Sequence, residues 1–418
     1  MKAGFAARDI TPLQELPMAG FDRRKQPADG MLDELQVCAL ALVDDAGGAF
    51  VFCVYDLLGV DAHFCAAVKQ AAEELCGLPA ERVWVSATHT HSAPGVHFYG
   101  KKDYSPTCAA QLTCCGVQAI ALALERAQGS DTPVRAGTAQ PAVTGIASLR
   151  NRGRAGADFA MSLPFLRLQT GSDSLQLLRM ACHPTVLDER NLRYSADFAG
   201  ALRRKQNAAS LVLNGACGDL STRFTRRASI PEELDRLAQL AACAVEEAAL
   251  RPVEDFGTRI AAAEVPAELP CAADFDPVRR QMLLAQLKKK LTECTDLQAA
   301  REYDARLAVL ERPPAQREKS RTVRVCAVDF GPFVLVGVPF EVDYADGLAL
   351  EQVAAAAAGK SAFLVCYTGG YESYLPSGAP LTAESSYEDI AAVYQPEARA
   401  LLWQAVENCA RQCATQNK

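Results

Sequence analysis

The chain has 418 residues, half of them hydrophobic and 22% charged, with a formal net charge of −7. That balance is typical of a globular protein and speaks against a nucleic-acid scaffold, since no Lys/Arg-rich face stands out and Lys288-Lys289-Lys290 reads as a solvated helix face. The length admits one large α/β domain or two smaller ones.

Met1 to Phe5 runs straight into a strand-like segment, without the apolar stretch of about 7–15 residues that a secretory signal requires. No apolar run reads as a membrane span of roughly 20 residues, so no stable membrane anchor is expected. The sixteen cysteines are scattered through apolar segments, as at Cys38, Cys53, Cys65, Cys182, Cys326 and Cys366. Reduced cysteines behave as small buried hydrophobes in this way, which predicts a reducing, cytoplasmic setting and neither a disulfide framework nor a cysteine-based zinc site.

Phe5 to Ile10 alternates as a strand and stops at Thr11-Pro12. Leu35 to Val43 and Gly48 to Val54 read as a hairpin around Asp44-Asp45-Ala46-Gly47. Asp56 places a charge at the end of the second strand. Asp61 to Cys76 has helical spacing, with Phe64, Val68 and Leu75 on one face. Val83-Trp84-Val85 is strand-like and leads through Thr88-His89-Thr90-His91 to a turn at Pro94-Gly95. Residues two apart on an extended segment share a face, so His89 and His91 are expected side by side at a strand end. Either a metal or acid/base pair, or two partly exposed loop histidines, fits that spacing.

Ser105-Pro106 opens a helix through Ala127. Val134 to Gly137 and Ile146 to Leu149 read as a strand pair, followed by a glycine-rich basic loop, Asn151 to Gly156. Phe165 to Thr170 and Leu175 to Ala181 alternate, the second ending at Cys182-His183-Pro184. Asp197 to Lys205 is a short helix. Ser210 to Asn214 is a strand ending in the turn Gly215 to Ser221, and Pro231 to Ala249 is a helix with proline at its start. Phe256 to Val265 returns to strand. Pro277 to about Leu310 reads as two helices packed on each other, closed by Pro313-Pro314. Strands over Thr322 to Phe330, Phe333 to Val338 and Ala362 to Cys366, with helices over Asp346 to Ala357 and Glu397 to Gln412, complete the chain. No internal repeat and no linker is visible. Interleaved strands and helices predict a single α/β body over residues 1–418, with a helical insertion at about 277–312.

Buried strands repeatedly end in a polar group beside a glycine or proline: His89/His91, His183, Asp219/Ser221, Glu341 and Tyr374. If these ends converge, two histidines and a carboxylate with an open position make the catalytic zinc pattern, which polarises a carbonyl and acidifies bound water. Asp219 fits a helix cap better than a catalytic group. Asp56 could orient a histidine. His63 and His97 read as ordinary.

Thr88-His89-Thr90-His91-Ser92-Ala93-Pro94-Gly95 closely resembles the T-H-T-H-S-G-P-G motif of the neutral/alkaline (non-lysosomal) ceramidases. Further pieces follow in that family's order: Arg8-Asp9-Ile10-Thr11-Pro12, Met18-Ala19-Gly20-Phe21, Asn151-Arg152, His183, Gly218-Asp219-Leu220-Ser221, Pro339-Phe340-Glu341, Tyr371-Glu372-Ser373-Tyr374 and Tyr387-Glu388. The resemblance implies mixed β-sheets flanked by helices, as in the ceramidase N-terminal domain. It implies zinc held by His89, His183, Glu341 and Tyr374, with His91 beside the metal in proton transfer. Ser221 matches the serine assigned as nucleophile, against a metal-bound water as the competing one. Arg152 would bind the substrate's polar end or a developing oxyanion, and Tyr387 would be a second phenol in the site. The implied reaction is hydrolysis of an N-acyl amide in a small-molecule substrate, with lipid metabolism as its setting. A metal-dependent esterase or a binding homologue without turnover would share the scaffold. The chain departs from the pattern at Ala93 (Gly in the family), at Thr222-Arg223 (Pro-Asn) and at Phe340 (Gly). It ends soon after the tyrosine region, so the C-terminal immunoglobulin-like domain of full-length members is not expected, and ceramide itself is less firmly implied than amide chemistry.

Overall fold

A computed structural model describes residues 1–150, 159–254, 256, 258–272, 277–312, 318–379 and 381–416. Three sheets repeat one topology. The first contains β1 (Lys2–Asp9), β2 (Gln36–Val43), β3 (Ala49–Tyr55) and β4 (Val83–Ala87), with α1 (Ala62–Cys76) between the last two. Pairing is antiparallel, antiparallel, then parallel across the helical crossover. The second sheet repeats this with β5 (Arg135–Ala139), β6 (Phe165–Thr170), β7 (Asp173–Met180), α3 (Asp197–Arg204) and β8 (Ala209–Asn214). A short strand, β9 (Arg251–Val253), extends its β5 edge. The third uses β10 (Ala261–Pro270), β11 (Ser320–Asp329), β12 (Phe333–Gly337), α7 (Tyr344–Ala358) and β13 (Ser361–Val365). Each unit closes with a helix beside its crossover helix: α2 (Pro106–Gln128), α4 (Pro231–Glu246) and α9 (Glu397–Gln416).

The repeat invisible in the sequence is therefore present in the topology. Strand pairing asks only for apolar alternation, which unrelated side chains satisfy equally well. One face of each sheet meets the other two in a shared core, with Leu40 and Phe52 from the first, Leu177 and Leu213 from the second and Val328 and Leu335 from the third. The opposite faces take the helices. Ala39 and Val51 lie with Ile120 and Ala123 of α2, and Leu178 and Val212 lie with Leu237 and Ala241 of α4. The strands are apolar on both faces because both are covered.

The predicted hairpin is β2–β3, with the Asp44 carboxylate accepting from the Ala46 and Gly48 amides. α1 and α2 begin at the expected caps, Asp61 and Ser105. α5 (Pro277–Glu293) and α6 (Leu297–Leu310) pack through Leu283, Leu287 and Leu307 and lie between the first and second strands of the third unit, against α8 (Tyr387–Ala391). Two readings need correction. The segments near 134 and 148 do not pair with each other: β5 joins β6, whereas Ser148–Leu149 pairs with Leu220–Ser221. And α2, with 23 residues, is long and apolar enough by length and composition to cross a membrane. Here it lies on β1, closely enough that a Cβ on Gly4 would sit 2.2 Å from the Ala123 carbonyl oxygen.

Candidate metal centre

In each unit the third and fourth strands are parallel, so their C-terminal ends point the same way. Loops at such ends are where open α/β sheets place ligands. The first unit contributes His89, two residues beyond β4. The second contributes His183, three beyond β7, and the third Glu341, four beyond β12. Backbone bonds tie the units together there: Ala87 N–H to the Tyr367 carbonyl (3.1 Å), Gly369 N–H to that of Val85 (2.9 Å) and Cys366 N–H to that of Asn214 (2.9 Å). The Asn214 side-chain amide reaches the Thr88 carbonyl at 3.2 Å.

His89 is not on an extended segment, as its spacing from His91 suggested. Its φ is 72°, a left-handed conformation that turns the chain just past the strand. The two rings still meet, 5.0 Å apart at 88°. His89 Nδ1 lies 2.6 Å from the Leu58 carbonyl, and His183 Nδ1 lies 2.6 Å from that of Cys217. A carbonyl only accepts, so both Nδ1 atoms carry the proton and both Nε2 atoms present lone pairs. Those Nε2 atoms are 3.2 Å apart, with His91 Nε2 3.4 Å from that of His89. Glu341 Oε2 lies 3.2 Å from His89 Nε2 and 3.0 Å from His183 Nε2. The Tyr374 hydroxyl is 3.4 Å from His183 Nε2.

These atoms are poorly satisfied by one another. Burial, reinforced by the Arg150 charge, drives the His183 imidazolium down to about 4, and burial drives that of His91 well below its usual range. Both rings are therefore neutral at pH 7. Burial alone would raise the Glu341 carboxyl; positive charge at His89 and His183 would hold it well below its usual range, a charge that neutral rings leave to a bound cation. Glu341 Oε2 is buried and has no hydrogen-bond donor, and His91 Nδ1 is also unpartnered. An orphaned carboxylate oxygen facing imidazole lone pairs leaves space for a cation. The donor set of nitrogen, nitrogen and carboxylate suits a divalent transition metal such as zinc. Among the described residues, His89, His91 and His183 form the cluster whose ligand atoms all lie within 4.8 Å of one another.

The surroundings hold these groups in place. Glu341 N–H bonds the Ser373 carbonyl and Leu375 N–H bonds that of Glu341, which lays the 371–375 segment beside it. The Tyr371 hydroxyl then donates to Glu341 Oε1 at 2.6 Å. His183 pairs likewise with Ser221 in a parallel bridge. Gly20 (φ 102°) seats His91, since a Cβ there would lie 2.5 Å from its Cγ.

A cavity of about 200 Å³ opens over the cluster, bordered by His91, Ser221, Arg150, Tyr374 and Tyr387. The Ser221 hydroxyl accepts the Arg223 N–H at 3.3 Å. Tyr387 begins α8, its ring 5.7 Å from that of Tyr374, and burial raises its phenol to about 12. Arg152 lies outside the described residues. The guanidinium that borders the site is that of Arg150, which donates to Glu388 at 2.8 Å and to Tyr374 at 3.3 Å.

Of the other residues singled out, Asp219 accepts the Tyr344 N–H at 2.8 Å and so caps α7. Asp56 does not orient a histidine. It binds Arg203 at 2.6 Å, Gln36 N–H at 2.9 Å and Thr88 at 3.2 Å, while carbonyls fix the imidazoles. His97 bonds the Gly59 carbonyl and His63 stacks on Tyr99. Arg150 and Tyr371 escaped the sequence reading. Tyr371 stood inside the tyrosine segment and Arg150 beside Asn151-Arg152, but nothing in residue type or spacing separates them from their neighbours.

No family model and no curated protein matches this sequence. Solved structures do resemble its fold. A neutral ceramidase from Pseudomonas aeruginosa superposes with a TM-score of 0.76 at 16% identity, over 99% of this chain and 74% of that one. A ceramidase complexed with C2 gives 0.76 at 17%, over 99% and 75%. The mixed-sheet α/β architecture implied by the motifs is thus the observed one.

Proposed function

We propose that this protein is a zinc-dependent hydrolase that cleaves an N-acyl amide bond, a ceramidase-like enzyme acting on a small molecule. The observation that carries the proposal is the orphaned Glu341 Oε2 between two imidazole nitrogens whose protons are committed elsewhere. His89, His183 and Glu341 would hold the metal, with Tyr374 as a further donor. When bound, zinc supplies Lewis-acid polarisation of the amide carbonyl and acidifies water at neutral pH.

The chain's own groups do the rest. Ser221 borders the cavity, and its hydroxyl accepts a backbone N–H, which leaves its own proton free to be given up. His91 is neutral and faces the same cavity, so it can take a proton from the attacking Ser221 or water and pass it to the leaving amine. Arg150, held by Glu388, brings positive charge to the side where negative charge develops on the substrate oxygen. Arg152 keeps the polar-end role that the motif implies, and Tyr387 that of a second phenol. The free thiols of the buried cysteines suit the proposed cytoplasmic setting.

Metal analysis of the purified protein beside His183→Ala and Glu341→Ala tests the reading. About one zinc per chain is expected in wild type and little in either variant. Hydrolysis of short N-acyl amides should fall with the metal. Wild type that takes up no zinc, or a His183→Ala variant that keeps both metal and hydrolysis, would refute it. A matched ester series separates amidase from esterase.

A further inference from the structure

The outer part of the cavity is lined mainly by charged groups, and of its side chains only Phe21 and Ala305 are wholly hydrocarbon. A long alkyl chain laid there would desolvate ions without replacing their partners. Most of the charges are paired: Arg23 with Asp304 at 2.7 Å, Arg223 with Glu302 at 3.2 Å, Arg150 with Glu388 at 2.8 Å and Asp188 with Arg190 at 2.6 Å. Two arginines are different. Among the described residues, no carboxylate oxygen lies within 4 Å of Arg226 or of Arg301, although both line the cavity. Arg226 follows Ser221 by five residues, and Arg301 reaches in from α6.

Arg226 is held in place. Its Nη1 donates to the Thr185 carbonyl and to Thr222 Oγ1. Its other N–H groups have no protein acceptor among the described residues. Burial works against its charge and so does nearby Arg301, with Asp197, Asp188 and Glu189 offsetting them in part from a distance. A fixed guanidinium with an unused edge, beside a second cation, is a geometry that takes a carboxylate in paired hydrogen bonds.

We infer that the substrate is a short, polar N-acyl amide that carries a carboxylate, gripped between Arg226 and Arg301 while its amide lies over the histidine cluster. The identity of the reacting bond rests on the amide-hydrolase reading above; the anion grip rests on the two arginines alone.

Calorimetric titration tests the grip without turnover. The probes are N-acetylglycine and N-acetyl-β-alanine, each beside its neutral carboxamide. The acids should bind wild type at least about tenfold more tightly, the effect expected of charge-assisted hydrogen bonds. Arg301→Gln, on an exposed helix surface, should cut that preference, and Arg226→Gln with Arg301→Gln should bring it within about twofold of unity. Both variants leave the histidines in place, so a carboxylate seated on bound metal would keep its preference in them. Equal binding of acid and carboxamide to wild type, or a preference that survives the double variant, overturns the inference. Hydrolysis of the same pairs keeps the two readings apart. Cleavage of both at equal affinity removes the grip alone. An acid preference in wild type that the double variant abolishes, with no cleavage of either, removes the amidase reading alone.

Discussion

The first and third units show how far one backbone plan can serve two purposes. In each, the chain leaves the fourth strand and turns two residues later through a left-handed residue, His89 (φ 72°) after Ala87 and Tyr367 (φ 57°) after Val365. The two rings stack 4.1 Å apart at 19°. Yet His89 turns a lone pair to the cluster, whereas the Tyr367 hydroxyl is 3.2 Å from Cys217 Sγ and stays in the core. The shared turn sets position, and the side chain placed on it decides whether that position packs or binds. Non-glycine residues in this conformation cost about 1–3 kcal/mol each and cluster at functional sites. The paired occurrence makes the strain a property of the junction between units as well as of the site.

Substitution tests the contrast most sharply at its functional end. His89→Ala should abolish zinc retention and reduce hydrolysis by at least about 10³-fold, a loss near 4 kcal/mol in the barrier, as read by metal analysis and kcat/KM. The middle unit comes next, because Arg203 of α3 reaches across to Asp56 of the first, a carboxylate with no exposed surface. Arg203→Ala leaves that charge buried and unpaired, so a loss of about 3–5 kcal/mol in denaturant-derived stability is expected.

Asp197 gives a pH signature for the middle unit. Its carboxylate accepts the Val186, Leu187 and Phe198 amides and pins the loop after His183, but burial still raises its pKa from 3.8 to about 6. A folded-state pKa above the unfolded one means that the folded form binds more protons in between. This contribution to stability is therefore full below pH 3.8 and lost as pH rises through about 6, by about 3 kcal/mol in all. His91 and His183, held neutral in the fold, work in the opposite direction over the same range, so the effect is read as a difference: in chemical unfolding from pH 4 to 7, wild type should lose stability relative to Asp197→Asn.

Smaller effects belong to the tyrosines. Tyr371→Phe removes the donor to Glu341 Oε1 and should weaken zinc binding by roughly 10–100-fold in a chelator competition, with the fold intact. Tyr367→Phe should cost about 1 kcal/mol of stability and leave zinc in place. If Tyr367→Phe released zinc as His89→Ala does, the division between a packing turn and a binding turn would be wrong.

Local signals were legible in the sequence. Asp61, Ser105 and the Asp44 turn each sit where capping and turn chemistry puts them, because those bonds close within a few residues. The polar strand ends were legible too, but their meeting was not, since His89 and His183 are 94 positions apart and only the fold sets that distance. The motif resemblance carried that step. Asp56 was misjudged because a carboxylate near a histidine suggests the familiar orienting pair, whereas Arg203, far along the chain, claimed it. The threefold plan stayed hidden because the corresponding strand ends read Tyr55-Asp56-Leu57, Ala181-Cys182-His183 and Pro339-Phe340-Glu341, with no residue in common.

Each unit thus contributes one of the three donors His89, His183 and Glu341. A ribosome that has delivered the first two units has made the two histidine donors but not the carboxylate donor, which follows 158 residues after the second histidine. Synthesis can shape each unit from contiguous chain, but the cation seat closes only when the last unit docks. If that seat takes a metal, as proposed, capture would act as a check on completed assembly: a chain stalled or cleaved before Glu341 lacks the buried charge that would draw the ion in, and each docked molecule would gain stability in proportion to how tightly it then held that ion.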